Sequence, residues 1–485
     1  MSFDFSYRIG GVWEAGASAS LVDNLNPADQ RDCLHQFALM DADQVRRAMD
    51  AAQSGAAAWR KATPITRATV LIKAAQNLRS EHEAIARTVS RENGKTVAEA
   101  RVEVEKSAEF LEFYAATARL PQGGQIADGR AGTRAQILVE PVGIVVMITP
   151  WNDPMLTPAR KLGPALISGN AVILKPARDT PLAAWYLVKA LIDAGLPEGV
   201  LNLVLSDHET FDECVIGDSR IAAVTFTGST GVGLELGRKL GGRNVRLQTE
   251  MGGKNASVVL ADADLEMAVA TVVAASFGQA GQRCTATSRV IVEAAVHDAF
   301  VSRLIDAVRA LPVGPGDEAR TKLGPVVNRR HQTEVLGHVS TAKASGATCL
   351  LGGGAPGGAE YSNGCFVEPT VLGEVTRDMP IWRDEVFGPV LAIHRVASFD
   401  EAVTAVNDSV YGLSAALFSN SLRHAQQFID AADTGQVSIN LPTSGWDVHQ
   451  PFGGFKESGS AFKEQGLEGL RFYTRVKTAA VRFEW

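Results

Sequence analysis

Three short stretches of this chain hold side chains able to do covalent chemistry. Gly281-Gln282-Arg283-Cys284-Thr285-Ala286 sets a cysteine among small and polar neighbours. Cysteine is the best side-chain nucleophile near neutral pH, because part of it is already thiolate. Upstream, Thr249-Glu250-Met251-Gly252-Gly253-Lys254-Asn255 puts a carboxylate beside a glycine pair, where it can deprotonate a water that attacks a thioester. Thr149-Pro150-Trp151-Asn152 follows an apolar run, and an Asn amide there is a competent oxyanion donor. Each has a bland alternative when read alone. A lone Cys is usually a small buried apolar residue, and a lone Glu after a strand a solvated charge.

The elements that must position these groups follow from periodicity. From Asp41 to Phe113 apolar residues recur at helical intervals, as in Ala68 to Arg79. Gly123, Gly124, Gly129 and Gly132 mark loops before strand-like runs over Ala135–Glu140 and Gly143–Ile148. Strands are then expected at Ala171–Leu174, Val200–Leu205 and Ala222–Phe226. They alternate with a helix over Pro181–Ala194, opened by the capping-competent Thr180, and another ending near Gly241. A second series runs from Ala256 to about Asn440, with strands at Val290–Val292 and Val390–His394 and helices at Val296–Ala310 and Arg330–Ser345. Such alternation predicts an α/β fold with doubly wound parallel sheets. Lys477–Phe483 reads as an edge strand added to another element.

Bulk properties narrow the function. At 485 residues the chain exceeds one ordinary core, so two or three domains are expected. A net charge of −7 argues against nucleic acid or an anionic membrane as the main partner. The five cysteines, Cys33, Cys214, Cys284, Cys349 and Cys365, are scattered and show no metal-ligand spacing, so neither a metal site nor a disulfide framework is expected. No basic segment followed by an apolar stretch opens the chain, and no uncharged apolar run reaches about 18 residues. A cytoplasmic, reducing setting is the expectation.

Phe226-Thr227-Gly228-Ser229-Thr230-Gly231-Val232-Gly233 lies where a strand gives way to a helix. Glycines there let backbone amides approach a pyrophosphate at a helix N-terminus. The pattern departs from GxGxxG and by itself reads equally as a glycine-rich helix cap. Taken in order, however, these stretches resemble the NAD(P)-dependent aldehyde dehydrogenases, from about Asn26-Pro27-Ala28 to the terminal strand.

The resemblance implies a Rossmann-type cofactor domain (residues 1–122 and 142–252) and an α/β catalytic domain (253–452). A small β oligomerisation element (123–141 and 453–485) would join homodimers or homotetramers. It implies that Cys284 attacks an aldehyde, that Asn152 and the Cys284 N–H hold the oxyanion, and that Glu250 activates the hydrolytic water. Thr149, Pro150, Trp151, Phe226, Gly228 and Ser229 would line the cofactor cleft, Ser229 against phosphate. Lys175 would hold the adenosine ribose, and Glu385 and Phe387 the nicotinamide ribose and ring. NAD-preferring relatives carry a glutamate where Arg178 stands. A cation there suits a 2′-phosphate, so NAD and NADP both remain open, unless Arg178 is only a solvated charge. Glu464 matches a glutamate proposed as a second proton relay, and reads equally as a surface helix charge. Glu250 separates the chain from coenzyme-A-acylating relatives, which typically lack it, and favours a free acid product.

For the substrate, Arg160 matches an arginine that semialdehyde-oxidising relatives use against a distal carboxylate, and Arg283 adds a second cation. Asp153 and the loop Pro442 to His449, with Trp446, complete the expected pocket. Gly278 stands where succinic semialdehyde dehydrogenases usually have arginine. The combination of Cys284–Arg289, Glu464-Gln465-Gly466 and Phe472–Thr478 looks more like bacterial 2-oxoglutarate semialdehyde dehydrogenases. The alternatives are an Arg160–Asp153 structural ion pair beside a broad apolar or aromatic aldehyde pocket, and an Asp153 that attracts an amino-aldehyde. Outside aldehyde oxidation stand a non-catalytic relative of the lens-crystallin kind and a thiol esterase.

Overall fold

Small antiparallel pairs and a helical layer precede the first parallel sheet. The computed structural model describes residues 5–483; Met1–Asp4, part of the segment read above for a leader, lie outside them. Strands β1 (Tyr7–Ile9) and β2 (Val12–Glu14) form one hairpin, and β3 (Leu21–Asn26) and β4 (Asp29–Ala38) another. Both fall outside the sequence expectations. The helical stretch resolves into α1 (Ala42–Trp59), α2 (Pro64–Ser80), α3 (His82–Asn93) and α4 (Val97–Ala116). Its breaks are chemical. Asp41 with Gln44 and Thr96 with Glu99 close capping boxes on α1 and α4, and Thr63 with Pro64 opens α2. Gly94 ends α3 at φ 94°, a conformation glycine enters without a Cβ penalty.

After β5 (Gly124–Ile126) and β6 (Thr133–Pro141) comes the first parallel sheet. It contains β7 (Ile144–Ile148), β8 (Ala171–Lys175), β9 (Leu201–Leu203), β10 (Ile221–Thr227) and β11 (Arg246–Glu250), in the order β11-β10-β7-β8-β9. Connections include α5 (Leu156–Ile167), α6 (Pro181–Asp193), α7 (His208–Phe211) and α8 (Thr230–Leu240). Val145, Val146, Ile173 and Leu174 are fully buried, as continuous apolar runs in a sheet covered on both faces require. One capping expectation is corrected. Thr180 makes no side-chain cap on α6, its hydroxyl reaching Trp151 O instead at 3.4 Å. The buried Glu92 carboxylate at the end of α3 accepts the Leu182 and Ala183 N–H groups at 2.6 and 3.1 Å.

The second sheet contains β12 (Asn255–Val259), β13 (Thr287–Glu293), β14 (Thr348–Leu351), β15 (Thr370–Gly373) and β16 (Val390–Val396). Beyond the short β17 (Tyr411–Gly412) it adds β18 (Ser414–Phe418) and β19 (Gln436–Ile439). Its order is β14-β15-β16-β13-β12-β18-β19, parallel except at β14–β15. Helices α9 (Leu265–Phe277), α10 (His297–Arg309) and α11 (Arg329–Ala344) belong to this half. The short β20 (Phe455–Lys456) pairs with β17, and the last strand, β21 (Thr474–Arg482), lies antiparallel along the whole of β6.

Each parallel sheet has its own hydrophobic core. Met251 belongs to the first and Ala256 to the second, so the chain crosses between them within the Glu250–Asn255 stretch. In the first sheet the order reverses about β7, and such a point opens a crevice at the carboxyl ends of the strands. Thr149, Lys175, Gly228 and Met251 all lie just past, or at, those ends. No helix among the described residues is long and apolar enough to cross a membrane.

Candidate active site

Cys284 follows a strained turn. Gln279, Ala280 and Gly281 take φ of 52°, 55° and 69°, and left-handed non-glycine residues cost of order 1–3 kcal/mol each. A Cβ at Gly281 would strike the Gly388 carbonyl oxygen, so that position admits only glycine. The turn is tied down by Gln279 N–H donating to Glu99 Oε1 at 2.7 Å and Arg283 Nε donating to Gln279 Oε1 at 2.6 Å. Beyond it, Asn255 Nδ2 donates to the Cys284 and Ala286 carbonyls at 2.7 and 2.8 Å. Burial pushes the Cys284 thiol up to about 12, with the Arg160 charge opposing. The resting group is a thiol.

Asn152 is buried in the turn before α5, its Nδ2 donating to Gln282 O at 3.0 Å. Glu250 ends β11. Both its carboxylate oxygens are buried without a hydrogen-bond partner, an arrangement that is costly unless the group is protonated or serves chemistry. Burial raises its pKa well above the usual carboxylate range, and the neighbouring Glu464 charge adds to that. Lys161, Lys463 and Arg160 pull the other way. A Cβ at Gly453 would collide with Glu250 Oε1, so this glycine leaves the space that the carboxylate occupies.

Glu464 is corrected from a surface helix charge to a buried group at 3 % exposure. It lies outside any helix, its backbone exchanging two 2.7 Å hydrogen bonds with Phe452. Its carboxylate pairs with Lys161 and, at 3.5 Å, with Arg160; Lys161 Nζ also donates to Thr225 Oγ1 at 2.7 Å. The Arg160–Asp153 ion pair is likewise corrected. Asp153 precedes α5 instead of sharing its face, and it takes Lys95 Nζ at 3.3 Å and Gln279 Nε2 at 3.1 Å. Burial alone would raise the Asp153 pKa, but the Lys95 and Arg283 charges hold it down. The Arg160 guanidinium lies 4.7 and 5.6 Å from the ring centroids of Phe452 and Phe110.

Two cavities meet at this point. One, of about 240 Å³, is lined by Asn152, Gly228, Ser229, Glu250, Cys284, Glu385 and Phe387. The other, of about 190 Å³, is lined by Lys106, Gln279, Arg283, Cys284, Ser444 and Trp446. Both reach Asp153, Arg160 and Phe452. A sulfur between two chambers can bond a molecule in one while a second reactant waits in the other.

The comparisons with known proteins bear on what those reactants are. The profile of the aldehyde dehydrogenase family matches residues 13–479. A 2,5-dioxopentanoate dehydrogenase of Saccharolobus solfataricus is 38% identical over 98% of each chain. An alpha-ketoglutaric semialdehyde dehydrogenase of Bacillus subtilis is 36% identical over 98% of this chain and 97% of its own. Betaine aldehyde dehydrogenase from Staphylococcus aureus, solved in complex with NAD+, superposes with a TM-score of 0.95 at 32% identity, covering 98% of this chain and 94% of that one. This chain belongs to the aldehyde dehydrogenase family. It is an oxidoreductase that oxidises an aldehyde with a nicotinamide cofactor.

In this aldehyde dehydrogenase the larger cavity gathers several of the residues expected to meet the cofactor. Thr227 lines it beside Gly228, its hydroxyl buried without a hydrogen-bond partner among the described residues. Ser229 starts α8 but does not cap it with its side chain, leaving the hydroxyl for a ligand. Glu385 Oε1 accepts Gly253 N–H at 3.0 Å, and burial lifts its pKa to about 7. A Cβ at Gly252 would strike that carboxylate. Phe387 is held at φ 56°, edge to face with Trp151 at 5.3 Å, and its carbonyl meets His331 Nε2 at 2.8 Å.

Other expected contacts stand off the cavity wall. Phe226 is buried beneath the turn, packed against Gly228 and Gly233. Lys175 ends β8 with its ammonium 5.4 Å from the Phe211 ring centroid, and burial lowers its pKa to about 8. Arg178 is exposed and donates to Ser206 O at 3.0 Å. Sequence reasoning missed Lys161, Phe452, His331, Lys95 and Glu103. None sits in a chemically distinctive stretch, although Lys161 adjoins Arg160 and Phe452 precedes a glycine pair. One acidic cluster outside the site, His208 with Asp212 and Glu235, already holds the Lys239 ammonium.

Proposed function

We propose that the chain oxidises 2-oxoglutarate semialdehyde to 2-oxoglutarate, with Cys284 as nucleophile and either NAD+ or NADP+ as acceptor. The observation that carries the substrate is the charge of the smaller cavity. Arg283 lines that cavity and hydrogen-bonds the neutral Gln279 side chain, so guanidinium donors remain for a substrate carboxylate, while Lys95 is shared between Glu103 and Asp153. Two relatives that match over nearly the whole chain carry names for the same substrate.

Each step then falls to a named group. The Cys284 thiol loses its proton to Glu250, whose raised pKa makes it a better acceptor than an ordinary carboxylate. Sγ bonds the aldehyde carbon, and the oxygen becomes an oxyanion. Asn152 Nδ2 has two hydrogens and Gln282 O takes one, so the second serves the oxyanion alongside the Cys284 N–H. The bound cofactor supplies the hydride acceptor, and loss of hydride leaves a thioester on Cys284. Once Glu250 has given up that proton to solvent it takes another from water, hydroxide attacks the thioester carbon, and the acid leaves with a thiolate that Glu250 reprotonates. Lys161 and Glu464 form the buried continuation of this site and act as its proton reservoir.

Gly228 and Ser229 would hold the cofactor phosphates, Thr149, Pro150, Trp151, Glu385 and Phe387 its nicotinamide half, and Lys175 with Arg178 its adenosine half. We divide the molecule as the sequence suggested, into cofactor, catalytic and bridging parts. The separate cores and the β5–β6–β21 sheet support that division. Assembly into a homodimer or homotetramer through this sheet and residence in the cytoplasm complete the reading, the latter supported by the free thiols of Cys33, Cys214, Cys284, Cys349 and Cys365.

The test is steady-state reduction of NAD+ and NADP+ with 2-oxoglutarate semialdehyde, an uncharged aldehyde of equal length, and betaine aldehyde. A preference for the carboxylate substrate of about 10- to 100-fold in kcat/KM is expected. Cys284→Ala should abolish turnover. Equal rates on all three aldehydes would overturn the substrate. Turnover of an activated ester alone, unaffected by cofactor, would favour an esterase, and no turnover at all a non-catalytic member.

A further inference from the structure

The link between α3 and α4 grips two consecutive peptide carbonyls of the Trp151–Asn152 turn. Asn93 Nδ2 donates to Trp151 O at 2.8 Å, and Lys95 Nζ donates to Asn152 O at 2.7 Å. The same ammonium meets Glu103 Oε2 at 2.5 Å and Asp153 Oδ1 at 3.3 Å, so its three hydrogens find three acceptors. Glu103 Oε1 in turn accepts Met155 and Leu156 N–H at 2.8 and 3.1 Å, closing the first turn of α5. The Lys95 and Glu103 side chains are 0 % and 2 % exposed. The clamp has a fixed base, because Ser90 Oγ donates to Lys95 O at 2.7 Å and a Cβ at Gly316 would collide with that carbonyl.

Stability alone is a weak account of this cluster. An ion pair taken fully out of water recovers little more than its desolvation cost, and well-packed apolar residues of similar volume often do as well. Its contacts converge elsewhere, on the backbone that aims one side chain. Lys95 fixes the carbonyl of residue 152, Glu103 fixes the amides of 155 and 156, and Gln282 O takes one amide hydrogen of Asn152 itself. We propose that Lys95, with Glu103 and Asn93, forms a positioning device that holds the Asn152 amide toward the carbonyl carbon attacked by Cys284. The inference rests on the reading of Asn152 as oxyanion donor. An oxyanion donor works by preorganisation, and a misplacement of about 1 Å costs on the order of 100-fold in rate.

The test is a double-mutant cycle on the full-length enzyme with its aldehyde and cofactor. Lys95→Met should lower kcat by about 10- to 100-fold. The Kd for reduced cofactor, read by fluorescence, and the rate of Cys284 alkylation by iodoacetamide should stay within about threefold, because neither develops an oxyanion. In an Asn152→Ala background the same substitution should cost less than about threefold, since the group it positions is gone. Lys95→Met/Glu103→Gln removes both buried charges and carries the same cycle should the single variant not fold. Asn93→Ala, which removes one neutral donor, should lower kcat by about 10-fold under the same non-additivity. A full additive loss in the Asn152→Ala background, or a kcat within threefold of wild type in these variants, overturns the clamp alone. Wild-type kcat in Asn152→Ala itself overturns the oxyanion reading, and the clamp with it.

Discussion

At the residue scale the site is governed by a carboxylate kept dry. The Glu250 carboxylate has no hydrogen-bond partner among the described residues, a negative neighbour in Glu464 and positive neighbours in Lys161 and Lys463. The acid limb of kcat against pH reports the deprotonation of such a base. Glu464→Gln removes the charge that raises the Glu250 pKa and frees Lys161, so the acid limb should move to lower pH. Lys463→Met removes a charge that lowers it, so the limb should move to higher pH. Opposite displacements in pH profiles of kcat and of single-turnover thioester hydrolysis check both signs. Arg178→Glu should raise KM for NADP+ by about 10- to 100-fold, with a smaller effect on NAD+, as expected when a charge-assisted contact to the 2′-phosphate is lost. The expectation for Cys284, Glu250 and Asn152 came from their immediate neighbours and from the family resemblance, and the structure brings all three to one cavity. The partners of Asp153 and Glu464 were not legible. Asp153 takes Lys95 from the α3–α4 link and Glu464 takes Lys161 from α5, and nothing near either carboxylate in the chain signals such a distant cation.

At the element scale the helix ends do much of the positioning. Glu92→Leu removes both acceptors from the start of α6 and should cost about 1–3 kcal/mol in urea unfolding, whereas Thr180→Ala should leave that cap intact. Burial holds the Glu92 carboxyl at about 8 in the folded protein against an ordinary value of 4.5, with the two amide donors opposing. The folded state therefore binds this proton more tightly, and its contribution to stability is present below the unfolded pKa and lost as pH rises through the folded one. Glu92→Gln should lack that decline, so its unfolding midpoint should gain on wild type as pH is raised across this window. Element type was legible wherever the apolar period was strong, as in α1 to α4, in β7 to β10 and in β13 and β16, whereas β11, β12, β14, β15, β18 and β19 were not named. The β1–β2 and β3–β4 hairpins were not, because their mixed burial answers to packing and not to a simple alternation. The left-handed turn at Gln279–Gly281 was equally hidden, since two of its residues are not glycine.

At the scale of the whole molecule, the last strand exposes Val476 at 70 % and Val481 at 51 %, on an edge paired only with β6. Open edges carrying apolar residues favour pairing with another chain. Val476→Lys and Val481→Lys should each shift sedimentation velocity profiles toward smaller species. The ion pair between Lys161 and Glu464 has a different consequence, because its members lie 303 residues apart in the chain. At translation rates of about 5–20 residues per second, Lys161 emerges roughly 15–60 s before its counter-ion is made. Throughout that interval α5 holds a lysine meant for a dry interior without the carboxylate that pairs with it, and Glu250 lacks the wall that Gly453 supplies. The buried pair can form only once the final segment has been made, so the interior around Lys161 is the last part of this site to be completed during synthesis.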